Sequence, residues 1–135
     1  MNNKFSAKIL GIDYGRRKLG IAVGERGLSE PYKVIRVGSF EDAVSKVIKI
    51  IKAIKADKVV VGISEGKMAK ETKRFAESIR QTLSPVPIVL FDETLTSKDA
   101  QKISFEMGVK RIKRRQMEDA YAASIMLQNY LDSWG

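Results

Sequence analysis

Residues 8–23, KILGIDYGRRKLGIAV, decide how this chain folds. Two short runs rich in Ile, Leu and Val, residues 7–14 and 19–24, flank the segment GRRKL, with a glycine near each end of the turn. The pair therefore predicts an antiparallel hairpin. The first run carries a single acidic residue, Asp13, and Gly15, Arg16, Arg17 and Lys18 follow it closely. A carboxylate in a strand that otherwise reads as buried is awkward for stability and has to be explained.

Outward from the hairpin the apolar period changes several times. Residues 32–38, YKVIRVG, set Val34, Ile35 and Val37 among the basic Lys33 and Arg36 and read as an edge strand. From Glu41, the residues Ala43, Val44, Val47, Ile48, Ile51 and Ile54 recur at helical spacing, with lysines at 46, 49, 52 and 55 largely on the other faces. KVVVGIS, 58–64, has the continuous apolar character of a strand covered on both sides. Met68, Thr72, Phe75, Ile79 and Leu83 form one helical stripe ending before Pro85, and PIVLF, 87–91, is another buried strand that runs into Asp92 and Glu93. Thr96 and Asp99 resemble a capping box for a helix over Ala100, Ile103 and Met107, with Gly108 as its stop. Residues 109–115, VKRIKRR, read as a basic connector, and the closing helix is expected from about Met117 to Leu131.

The order β-β-β-α-β-α-β-α-α predicts an α/β fold with a mixed five-stranded sheet, three antiparallel strands and then two parallel ones, flanked by helices. With 135 residues and no linker, repeat or low-complexity tract, residues 1–135 are expected to form a single domain. Hydrophobic residues make up 44% of the chain, which argues against disorder, yet no apolar run approaches the ~20 residues that span a bilayer. The N-terminal stretch does not read as a secretory leader and there is no cysteine, so a cytoplasmic protein without membrane contact is expected.

Charge and the missing residue types narrow the chemistry. Lys and Arg number 25 against 16 Asp and Glu, and the net charge of +9 favours an anionic partner, nucleic acid being the commonest. The chain has no His and no Cys, which excludes Ser-His-Asp and Cys-His relays, zinc sites of the His/Cys kind and an imidazole base. Any enzymatic metal must sit on oxygen ligands, which suits Mg²⁺ or Mn²⁺.

Three acidic positions matter in that light. Asp13 lies late in the first strand, Glu93 closes the last buried strand, and Asp119 is expected in the first turn of the closing helix. Each has an ordinary explanation: a turn-former bonding the backbone of YGRR, a residue approaching a helix, and an acid favoured by the helix dipole. Together they are more informative, because ligands of open α/β sheets collect at the carboxyl ends of parallel strands. Three converging carboxylates repel one another, and a divalent cation relieves that repulsion. Glu65, Asp92 and Glu118 are further candidate ligands. Arg16, Arg17 and Lys18, with Lys110, Arg111, Lys113, Arg114 and Arg115, would hold phosphates beside the acids, the alternative being solvated turns.

GIDYGRRKLGIAV, KVVVGIS, FDETLTSKDA and EDAYAASIMLQNYL resemble, in order and over essentially the whole chain, the family called YqgF or RuvX. The resemblance implies a ribonuclease H-like fold and a magnesium-dependent endonuclease that matures the 5′ end of pre-16S ribosomal RNA. Its acidic residues carry over to Asp13, Glu93 and Asp119. The chain departs from the family pattern at Thr94 and Lys18, where arginine is common, and Thr and Lys do not reproduce arginine's planar fork. The alternatives are a non-catalytic RNA-binding factor in ribosome assembly and a resolvase of branched DNA, the four-way Holliday junction. A phosphotransferase of the actin type is remote, since it needs a second domain. The partner is therefore a ribosomal RNA precursor or branched DNA, and a monomer or weak homodimer is expected.

Overall fold

The computed structural model describes residues 7–63, 66–92 and 111–134, with backbone alone for 111–115 and 134. The hairpin is present: β1 (Lys8–Asp13) and β2 (Lys18–Glu25) pair antiparallel, with Asp13 opposite Gly20. A two-residue turn follows, in which Arg26 and Gly27 take φ of 58° and 82°, the left-handed geometry that matches the twist of a tight hairpin. It leads into β3 (Leu28–Arg36), which starts at Leu28 rather than at the expected Tyr32. The added residues include Pro31. The structure seats it opposite Ala22 at an irregularity in the register, on the outer strand of the sheet, where a missing N–H is tolerated.

Helix α1 (Phe40–Ile54) starts where Ser39 accepts a hydrogen bond from the Asp42 backbone N–H at 3.0 Å, with Glu41 and Asp42 in the first turn. It leads to β4 (Lys58–Ile63), which pairs parallel with β1. Helix α2 (Ala69–Leu83) then crosses to β5 (Ile88–Asp92), parallel to β4. The sheet has the order β3-β2-β1-β4-β5, so the expected mixture of antiparallel and parallel strands is found. The three parallel strands end together, with Asp13 level with Gly62 and Ile63 level with Asp92. The helix expected over Ala100–Met107, its Thr96 and Asp99 cap, and Glu65, Glu93, Thr94 and Lys110 lie outside the described residues.

Strand alternation divides the sheet into two faces. Leu10, Ile12, Tyr14, Leu19, Ile21, Val59 and Val61 pack against Val47 and Ile51 of α1 and Phe75, Ile79 and Leu83 of α2. The opposite face carries Ile9, Ala22 and Val60, covered by Ala123, Met126 and Leu127 of the closing helix α3 (Arg111–Trp134).

Helix α3 overturns two expectations. The supposed connector over 109–115 is helical from Arg111 onward, because Arg, Lys, Gln, Met and Glu are all competent helix formers and no glycine or proline interrupts residues 111–134. Asp119 consequently sits about two turns inside the helix rather than in its first turn, which contains no acidic residue. The helix dipole therefore does not account for it, since that effect fades within the first turn.

Candidate active site

Alternation places Asp13 on the α3 side of the sheet, with Ile9 and Gly11. Its lateral neighbours are both glycines, Gly20 on β2 and Gly62 on β4, so across these three strands it is the one side chain projecting at that level. The half-buried Asp13 carboxylate stands at the carboxyl end of β1, where the strand order switches from antiparallel to parallel.

Small residues bring α3 down onto this spot. A Cβ on Gly20 would lie 1.9 Å from the backbone oxygen of Asp119, and one on Gly11 would lie 2.9 Å from Leu127 Cβ. Ala120 and Ala123 supply the matching small surface on the helix. The far half of α3 is locked to the β2–β3 hairpin: Ser29 Oγ donates to the Ser124 carbonyl at 2.6 Å, the Ser29 N–H to Gln128 Oε1 at 2.9 Å, and Gln128 Nε2 to the Gly27 carbonyl at 2.9 Å. These bonds set how far the helix lies along the sheet. Asp119 is thereby held against Gly20, the register partner of Asp13.

The Asp119 side chain is 29% exposed, yet its Oδ2 is screened from solvent and accepts no hydrogen bond among the described residues. Lys18 Nζ stands 3.3 Å from that atom, close enough for charge attraction but without hydrogen-bond alignment. Lys18 reaches Asp119 because β2 starts under the helix.

Arg16 behaves differently. Its Nε donates to Glu71 Oε1 at 3.2 Å, and the Tyr14 hydroxyl donates to Glu71 Oε2 at 2.6 Å, with the Tyr14 ring tilted 34° against Phe75 at a centroid distance of 4.6 Å. This cluster belongs to the α2 side of the sheet. Burial first, then the bond to Glu71, push the Tyr14 phenol well above its ordinary value. The Tyr14 hydroxyl, against a smaller cost of desolvation, and then the Arg16 charge hold Glu71 below the usual carboxylate range. Arg17 is exposed, and its carbonyl accepts from the Val37 N–H at 2.9 Å.

Asp119 is thus set against the cross-strand partner of Asp13, with Lys18 beside Asp119. Asp92 ends β5 on the same edge of the sheet, and Glu118 lies on α3. Among the described residues no three ligating side chains form a cluster. Arg111, Lys113, Arg114 and Arg115 are part of α3, and their side chains lie outside the described set. Sequence reasoning missed Gly20 and Gly62, the pair that leaves room around Asp13. It also read Arg36 only as part of an edge strand, although Arg36 is the cross-strand partner of Lys18.

A family model described as "RuvX: Holliday junction resolvase" matches residues 7–133. A Syntrophus aciditrophicus protein, provisionally named a pre-16S rRNA nuclease, is 34% identical over 134 residues, covering 93% of this chain and 89% of that protein. A Rickettsia canadensis protein of the same provisional name is 37% identical over 136 residues, covering 95% and 88%. Among solved structures, T. thermophilus RuvC in complex with a Holliday junction substrate superposes with a TM-score of 0.63 at 14% identity, over 95% of each chain. The fowlpox virus resolvase with substrate Holliday junction DNA gives 0.65 at 13% identity, over 94% of this chain and 98% of that one. At such identities the likeness is one of fold, and the fold is the ribonuclease H-like one.

Proposed function

The chain belongs to the RuvX family, and from that premise we propose that it is a divalent-metal-dependent endonuclease that hydrolyses phosphodiester bonds at the 5′ end of pre-16S ribosomal RNA. The observation that carries the reading is that Asp119 lies against Gly20, the cross-strand partner of Asp13, with Asp119 Oδ2 buried and without a hydrogen-bond donor among the described residues. Lys18 offsets part of that oxygen's charge without a hydrogen bond, and a divalent cation held by the acids would supply the direct coordination the ammonium does not.

The donors fit a hard cation: they are carboxylate oxygens, and the chain has no His or Cys to favour a softer one. Asp13 and Asp119 would hold Mg²⁺ or Mn²⁺, with Glu93 as third ligand. Glu93 is kept as the third ligand because the family resemblance of FDETLTSKDA carries an acid to that position. When bound, such an ion would lower the pKa of the attacking water so that it loses its proton readily, and would offset the charge developing on the leaving oxygen. The chain's own residues do the rest. Asp13, rigid between two paired strands, orients the reacting end, and Asp119 approaches it from the helix. Lys18 places positive charge where the phosphate oxygens must come, offsetting their repulsion by the acids.

The test incubates the protein and Asp13→Asn with an rRNA precursor carrying its 5′ extension and with a four-way DNA junction, each with Mg²⁺, Mn²⁺ or chelator. RNA cleavage that needs metal and is lost in the variant supports the proposal. Cutting of the junction alone transfers the activity to branched DNA. Absence of any cutting, with equal RNA binding by both proteins, makes the chain a binding factor for ribosome assembly.

A further inference from the structure

Beside Asp119 a groove of about 400 Å³ opens between the start of β2, the end of β3 and α3, lined by Lys18, Val34, Arg36 and Gln116. Lys18 and Arg36 are direct cross-strand partners. Like charges facing each other across a ladder are unfavourable, so sheet stability does not explain the pair. Arg36 is exposed, and no carboxylate pairs with its guanidinium among the described residues. Lys18 already joins the groove to the candidate site through its 3.3 Å approach to Asp119. Gln116, a turn before Asp119 on α3, adds an amide donor, and Val34 provides an apolar floor.

We infer that this groove seats one nucleotide of a single-stranded segment flanking the scissile phosphate, with Arg36 on its phosphate and Val34 under its sugar or base. The inference rests on the nuclease reading. A guanidinium fork suits phosphate oxygens, and a groove of about 400 Å³ has room for one nucleotide-sized group. The substrate strand then leaves the site across the β2–β3 edge. Arg36 thus adds a second cation beside Lys18, on the side of the groove away from Asp119.

The test measures binding of a fluorescent single-stranded RNA with the sequence of the 5′ extension, and of a blunt RNA duplex, by anisotropy at several salt concentrations for the full chain and Arg36→Gln. For the single strand the slope of log K against log salt is expected to shrink by about 0.7, the loss of one phosphate contact. Affinity should fall several-fold and the Lys variant, R36K, should restore most of both. Melting temperature should hold or rise, since the like-charge pair is relieved. An unchanged slope, or no binding by the unaltered protein, overturns the groove. An equal change on the duplex overturns the single-strand assignment. A changed slope in a protein that cuts no RNA leaves the groove standing while the nuclease reading falls.

Discussion

The backbone oxygen of Asp119 occupies the space next to Gly20 so fully that a Cβ there would lie 1.9 Å from it. Gly20 has no left-handed φ, so its reason for being glycine is this approach alone. Gly20→Ala must push α3 away from β2, and a destabilisation of about 1–3 kcal/mol is expected from the chemical-denaturation midpoint, with most activity lost. Gly24→Ala, which meets only the flexible ends of Leu127 and Leu131 at 3.1 Å, should lose less of both. Equal behaviour of the two variants would show that the helix contact at Asp119 is not critical.

Asp13→Asn and Asp119→Asn each remove a candidate ligand without changing shape. Groups that merely support a ligand cost about 10–100-fold when altered, so cleavage in either variant should fall by at least about a hundredfold, with single-stranded RNA binding retained. Single-turnover cleavage alongside anisotropy binding separates the two effects. Retained cleavage in both variants sinks the assignment.

Lys18→Gln tests the competition at Asp119. The ammonium 3.3 Å from Oδ2 opposes a divalent cation at the same carboxylate. Calorimetric titration with Mn²⁺, in the absence of RNA, should show tighter metal binding by the variant, while its RNA affinity falls several-fold. Weaker metal binding by Lys18→Gln would mean that the lysine holds Asp119 in place rather than competing for it.

Glu71 ties the turn after β1 to α2 and gives the protein an acid-sensitive element. Because folding lowers its pKa, its contribution is present above the unfolded value of about 4.5 and is lost as pH falls through the folded one. Tyr14 works in the opposite sense. Its raised pKa gives stability that is complete below 10.0 and lost as pH rises further. Urea denaturation across pH should therefore show weakening at both extremes. Glu71→Gln should lower stability by about 1 kcal/mol at neutral pH and flatten the acid limb. An acid limb identical to that of the unaltered chain would remove Glu71 from this account.

Much of the site's logic was visible in short motifs. GIDYG marked an acid at the end of a buried strand, and EDAYAA marked one on an amphipathic helix with small residues. What misled was the basic run at 110–115: charge suggested a connector, whereas helix propensity and the packing of α3 on the sheet extend the helix through 111–115. The start of β3 was also placed too late, at Tyr32 rather than Leu28, because the outer strand absorbs Pro31 where a central strand could not.

Element types, the α/β class and the acidic candidates followed from the chain because alternation, helical periodicity and residue chemistry are local properties, readable within a few positions. The contacts that make a site are not local. That Asp119 lies against the partner of Asp13, that Lys18 turns to Asp119 while Arg16 turns to Glu71, and that Arg36 faces Lys18 depend on register and on how closely a helix settles on glycines. Such pairings join residues up to about a hundred positions apart, and only packing of the whole sheet chooses among them.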